Sequence, residues 1–190
     1  MLNNIFNILI VGVGGQGIIL ASDVITEAAM LAGFDAKKSE IHGMSQRGGS
    51  VFSHIRFGEK VFSPVIPESE ANILISLEEM ETLRWLSYVN EETKIFFMKT
   101  QILPAEINDY PQGIEEKMKK NYNNVITIIP EELIKKIGKP KYLNTALLGF
   151  VSNHINFTED VWKKAISANV PDGTFDENWN AFLIGKGVNK

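Results

Sequence analysis

Apolar positions along the chain keep two rhythms, short unbroken runs and longer stretches at helical spacing. Ile8-Leu9-Ile10-Val11, Asn72-Ile73-Leu74-Ile75-Ser76, Lys94-Ile95-Phe96-Phe97-Met98 and Val125-Ile126-Thr127-Ile128-Ile129 are runs of the kind that parallel strands buried on both faces require. Between them, Ile18, Ala21, Ile25, Ala28 and Ala32 recur at helical spacing, and Gly33 is placed to end that helix. Leu77, Met80, Leu83, Leu86 and Val89 mark a second helix, and Ile114 to Asn121 a charged third. Pro130 opens a fourth in its favoured first-turn place, with Glu131 and Glu132 at the positive end and Lys135 and Lys136 near the other. The stretch 101–113, with Pro104 and Pro111, has little periodicity and reads as a surface connection.

The last third is helical. Leu143, Ala146, Leu147, Phe150, Val151 and His154 line one face. Thr158 can cap the next helix, with Phe157 and Trp162 as a hydrophobic staple around it. Thr174-Phe175-Asp176-Glu177 matches a capping box ahead of a final helix carrying Trp179, Phe182 and Leu183.

One region departs from this alternation. Phe34 to Ser39 predicts a strand that Asp35 opens. Val51, Ser53, Ile55 and Phe57 then alternate with Phe52, His54 and Arg56, a strand with two different faces. His54 and Arg56 share one of them, expected to be solvated or an interface. Phe57-Gly58-Glu59-Lys60 can turn into a short partner, Val61-Phe62-Ser63, which Pro64 and Pro67 end. The whole pattern predicts one α/β domain over residues 1–190: three layers, a Rossmann-like, mostly parallel sheet with a β-hairpin insertion, and a helical C-terminal part.

Composition narrows the chemistry. A 190-residue chain with 44% hydrophobic content builds a proper core. Nineteen basic against 23 acidic residues, net charge −4 and no basic stripe argue against a nucleic-acid surface. Cysteine is absent, which removes disulfides, thiolate nucleophiles and cysteine-ligated iron–sulfur clusters. His42, His54 and His154 have no metal-ligand spacing, so no metal is expected. No basic residue precedes the first apolar run, and glycines interrupt it within a few residues, so neither a signal peptide nor a membrane span is expected and the cytoplasm is the default.

Two glycine-rich stretches carry the candidate chemistry. Gly12-Val13-Gly14-Gly15-Gln16-Gly17 stands between the first strand and first helix, the context that a G-x-G-x-x-G motif needs. Such a turn leaves backbone N–H groups at a helix N-terminus for an anion. Gly12, Gly14, Gly15, Gln16 and Gly17 are therefore cofactor-binding candidates, although glycines there can serve close packing alone. A dinucleotide site also wants an acid closing the second strand about 20 residues on. Asp35 opens that strand instead; Glu40 is better placed.

The second stretch, Ser39-Glu40-Ile41-His42-Gly43-Met44-Ser45-Gln46-Arg47-Gly48-Gly49-Ser50, packs more chemistry than a connecting loop needs. Arg47 suits bidentate binding of a phosphate or carboxylate, or an ion pair with Glu40. His42 suits acid–base work or a bond to a loop carbonyl. Arg47, His42 and Glu40 are the catalytic candidates; Ser45, Gln46, Gly48 and Gly49 join the binding candidates.

The pairing of GVGGQG with SEIHGMSQRGGSVFSHIRFG resembles the gamma-type domain of the 2-oxoacid:ferredoxin oxidoreductase family, and the wording HGMSQRGGSV resembles its indolepyruvate branch. The likeness continues through Leu77 to Trp85 and Asn144-Thr145-Ala146-Leu147-Leu148-Gly149, and in length it matches a free-standing subunit. It implies oxidative decarboxylation of an aryl 2-oxoacid with coenzyme A as co-substrate, giving an acyl-CoA, carbon dioxide and reduced ferredoxin. It also implies that this chain holds no cofactor alone. Thiamine diphosphate and the iron–sulfur clusters would sit on a large alpha subunit, and ferredoxin would be met through the complex, with no nucleic acid or membrane partner. From the glycine turn alone, a dinucleotide-binding dehydrogenase or a non-catalytic nucleotide-sensing module stays open.

Overall fold

The computed structural model describes residues 5–42, 49–103 and 109–187. Six strands form one sheet: β1 (Phe6–Val13), β2 (Asp35–His42), β3 (Ser50–Gly58), β4 (Ile73–Ser76), β5 (Lys94–Met98) and β6 (Val125–Ile128), in the order β2-β3-β1-β4-β5-β6. β1, β4, β5 and β6 pair in parallel. β3 runs antiparallel to both its neighbours, β1 and β2, so β2 again points the same way as β1.

Strict alternation distributes each parallel strand between two cores. Ile8, Ile10, Ile73, Ile75, Phe96 and Met98 face one layer, built from α1 (Ile18–Leu31), α4 (Pro130–Ile137), α5 (Leu143–Ser152), α6 (Glu159–Asn169) and α7 (Phe175–Gly187). Leu9, Val11, Leu74, Ile95 and Phe97 face the other, covered by α2 (Glu79–Arg84), α3 (Ile114–Asn121) and the segment around Ile66. Burial on both faces is why β1, β4 and β5 read as unbroken apolar runs; β6, at the sheet edge, is only half-buried at Val125, Ile126 and Thr127.

The capping signals at Gly33 and Thr158 hold, and the one at Thr174 does not. Gly33 takes φ +89° just beyond α1. Thr158 Oγ1 accepts from Val161 N–H at 3.4 Å, and the Phe157 and Trp162 rings stand 5.6 Å apart. Thr174 uses its hydroxyl differently from a capping box, donating to the Pro171 carbonyl at 2.7 Å and accepting from Asn178 Nδ2 at 3.0 Å.

Three expectations need correction. Residues 61–63 form no strand, because β1 and β2 already occupy both edges of β3. That backbone is held by side chains instead: Val61 N–H donates to Asp35, and Arg56 Nη1 donates to the Ser63 and Val65 carbonyls. His54 and Arg56 are consequently buried, 4% and 9% exposed, under this segment and the rings of Trp85 and Tyr88. The helix expected from Leu77 to Val89 is only α2 followed by a 3-10 turn at Leu86–Tyr88, divided where Trp85 leaves helical backbone angles.

Candidate functional site

At the carboxyl end of β1 the glycine turn leads into α1, and its shape is held from within. Gln16 folds back so that Oε1 accepts Val13 N–H at 2.8 Å while Nε2 donates to the Leu77 carbonyl at 2.7 Å. Asn144, on α5, donates through Nδ2 to the Gln16 carbonyl. A Cβ on Gly12 would lie 2.6 Å from Gln16 Oε1, and one on Gly17, at φ +72°, would lie 2.1 Å from Asn144 Nδ2. Packing therefore accounts for these two glycines. Gly15 takes φ +93°, which the turn itself requires. Gly14 has no such neighbour; the nearest atom to an added Cβ is the Gly49 carbonyl oxygen at 4.0 Å.

The two glycine-rich stretches meet at this point. Gly14 N–H donates to the Gly49 carbonyl at 3.0 Å. Across the sheet, His42, Val51 and Gly12 stand in register on β2, β3 and β1, so Gly49 and Ser50 stand beside the turn and His42 one strand further out. Ser45, Gln46, Arg47 and Gly48 lie outside the described residues. Glu40 lies 3.5 Å from Lys38, which also pairs with Asp23 on α1.

Neither acid weighed for a nucleotide ribose is in position. Asp35 stands at the start of β2, the opposite end of the sheet from the turn, roughly 20 Å away by strand rise. There its carboxylate accepts Val61 N–H and faces Lys37 and Lys60, which holds it below the usual carboxylate range. Glu40 is near the right end, but β3 intervenes between β2 and β1, a displacement of roughly 10 Å.

A set of carboxylates that the sequence pattern did not single out lies on the other side of the turn. Glu78, Glu79 and Glu81 follow β4 and are 1%, 3% and 5% exposed. Glu78 caps α2, accepting Glu81 N–H at 2.9 Å, and its other oxygen accepts Ile102 N–H and the Tyr110 hydroxyl. Burial, with that carboxylate beside it, pushes the Tyr110 hydroxyl far up. Burial also raises Glu79, partly offset by a bond from Gln101 Nε2 at 3.2 Å. Glu81 accepts the Ser50 hydroxyl on one oxygen and Arg84 Nε on the other. The findable signal was position: residues just past the carboxyl end of a parallel strand border the crevice where such sheets bind ligands.

Two clefts flank the turn. One, about 300 Å³, runs along Val13 to Ile19 beside Val51. The other, about 470 Å³, lies over the carboxyl ends of the strands, bounded by Gly15, Leu77, Thr100, Glu131, Lys141 and Asn144. The first-turn amides of α1 suit an anionic group in either. Among the described residues no group of three or more His, Asp or Glu could hold a metal ion, and no helix is long and apolar enough to cross a membrane. With no cysteine in the chain, an iron–sulfur cluster does not fit here.

An α/β domain with a glycine turn at the switch point and, among the described residues, no metal-holding cluster has known counterparts. The chain belongs to the pyruvate ferredoxin/flavodoxin oxidoreductase family, whose model matches residues 7–187. It is 34% identical to the indolepyruvate oxidoreductase subunit IorB of Thermococcus kodakarensis, over 95% of this chain and 94% of that one. To the subunit of the same name in Methanothermobacter thermautotrophicus it is 35% identical, over 96% and 97%. Its fold matches the gamma subunit of a keto/oxoacid ferredoxin oxidoreductase from Geobacter sulfurreducens, with a TM-score of 0.71 at 20% identity, covering 96% and 94% of the two chains. It is thus an oxidoreductase subunit, and its relatives are small members of multi-subunit enzymes.

Proposed function

We propose that this chain is the small subunit of a cytoplasmic, thiamine-diphosphate-dependent oxidoreductase acting on aryl 2-oxoacids, indolepyruvate foremost. The observation that carries this is the 34–35% identity, along almost the whole length, to subunits named for indolepyruvate. The 2-oxoacid loses carbon dioxide, its acyl group passes to coenzyme A, and two electrons pass to ferredoxin. Thiamine diphosphate and the clusters belong to the large partner, since the donor set here does not fit a cluster.

This chain's part is to present Arg47 and the glycine turn to an anionic group, a phosphate of coenzyme A or a carboxylate. His42 and Glu40 stand at the same rim. The dehydrogenase alternative is disfavoured because neither acid weighed for a ribose, Asp35 or Glu40, closes a strand next to the turn.

The test is the enzyme reconstituted with its large subunit, assayed for coenzyme A-dependent ferredoxin reduction with indolepyruvate, pyruvate and 2-oxoglutarate. Indolepyruvate should give the highest kcat/KM; preference for either other acid overturns the substrate assignment. Arg47→Ala should cost about 2–4 kcal/mol of transition-state stabilisation, and Arg47→Lys should recover only part, keeping the charge without the planar fork. Normal turnover by Arg47→Ala would sink the role given to this stretch.

A further inference from the structure

Ser50 is the first residue of β3, opposite Val13, the last of β1. Two adjacent residues here are tied in two directions. The Gly49 carbonyl accepts Gly14 N–H at 3.0 Å, and the Ser50 hydroxyl donates to Glu81 Oε2 at 2.5 Å. Glu81 is an unusual partner for a strand-end serine: its side chain is 7% exposed, 31 residues further along the chain, on α2. Keeping a carboxylate out of water is costly unless its oxygens are engaged, and both are, since Arg84 Nε donates to Oε1 at 3.1 Å. The helix beneath it is itself pinned, because Glu78 Oε2 accepts Glu81 N–H at 2.9 Å while its Oε1 takes the Tyr110 hydroxyl and Ile102 N–H.

A small hydrophobic pair would hold strand to helix at least as well as this buried carboxylate. What the carboxylate adds is direction, a single accepted bond that fixes the Ser50 side chain. We infer that Glu81 is a positioning residue for the family reaction: through Ser50 it sets where the chain re-enters the sheet beside the glycine turn. The inference rests on the reading that the residues just ahead of Gly49 act in turnover. Glu81 itself touches no substrate; it acts through Ser50.

The experiment uses the reconstituted enzyme with Ser50→Ala, Ser50→Thr, Glu81→Ala, Glu81→Gln and the double variant Ser50→Ala/Glu81→Ala. Ser50→Ala and Glu81→Ala should each lower kcat by roughly ten- to a hundred-fold, the range that slight misplacement of a working group costs. Affinity for the large subunit should stay put, while the melting temperature of the free Ser50→Ala subunit should fall by a few degrees, because Glu81 Oε2 is left buried without its donor; Ser50→Thr should restore it. Ser50→Thr, which keeps the hydroxyl, should restore turnover, and Glu81→Gln, which keeps an acceptor oxygen, should fall between. The double variant should be no slower than the worse single one, because both remove the same bond. Near-normal kcat in Ser50→Ala, multiplying losses in the double variant, or turnover falling in step with partner affinity would each overturn the inference. Arg47→Ala separates the two readings: if it is impaired while Ser50→Ala is normal, this inference alone fails, and if it is normal the underlying reading fails.

Discussion

Gly17 shows how little room the turn leaves for change. It combines a left-handed backbone with a neighbour, Asn144 Nδ2, that cannot retreat without giving up its bond to the Gln16 carbonyl. Gly17→Ala should destabilise the subunit by about 1–3 kcal/mol from backbone strain, and the clash adds to it. Urea unfolding of the free chain measures this; adding Asn144→Ala should recover the steric part and leave the strain. His54 carries a pH signature. Its Nδ1 accepts Ile66 N–H at 3.2 Å, so the folded state holds the ring neutral, and burial, aided by Arg56, lowers its pKa from 6.5. The unfolded chain then binds the extra proton more readily. Stability from this site is complete above about pH 6.5 and declines as the pH falls from there towards the lowered folded value. The melting temperature should drop on acidification below pH 6.5, and His54→Asn, which keeps an acceptor near Nδ1, should flatten that drop. An unchanged pH slope in the variant would assign the effect elsewhere, His154 being the other lowered histidine.

At the scale of elements, the parallel strands and most helices were legible because burial on both faces writes itself as apolar runs, as in β1 and β5. Residues 61–63 and the His54–Arg56 face were not. Alternation tells that a strand has two faces, but it cannot tell what covers a face, and here an irregular segment does so with side-chain bonds from Arg56 and Asp35. The buried Glu78, Glu79 and Glu81 were missed for the same reason: a run of glutamates reads as solvated until the carboxylates are seen accepting bonds from Tyr110, Gln101 and Ser50. The order of the strands also decides the nucleotide question. The motif predicts a parallel neighbour ending in an acid, and the antiparallel β3 sits in that place. Calorimetric titration of the free chain with NAD should therefore show weak binding or none. Micromolar affinity would mean that the cleft beside α1 compensates for the missing acid.

For the molecule as a whole, the proposed function divides the work between two chains. Its sequence offers no thiolate for a cluster, and the buried Glu78, Glu79 and Glu81 are already bonded within the fold. The glycine turn is tied to Gly49 and to α5, and Ser50, next to Gly49, is tied to α2. On the proposed function, such a rim would serve chemistry held on another chain. The free subunit should accordingly fold cooperatively, carry no colour and no bound thiamine diphosphate, and give no 2-oxoacid-dependent dye reduction. The large subunit without it should keep its clusters yet turn over poorly, and mixing the two should restore coenzyme A-dependent reduction in proportion to complex formed. Size-exclusion chromatography with parallel activity assays reads both quantities from the same fractions. Robust turnover by the isolated chain, or full activity in the large subunit alone, would refute this division, since either would place the whole reaction on one side of the interface.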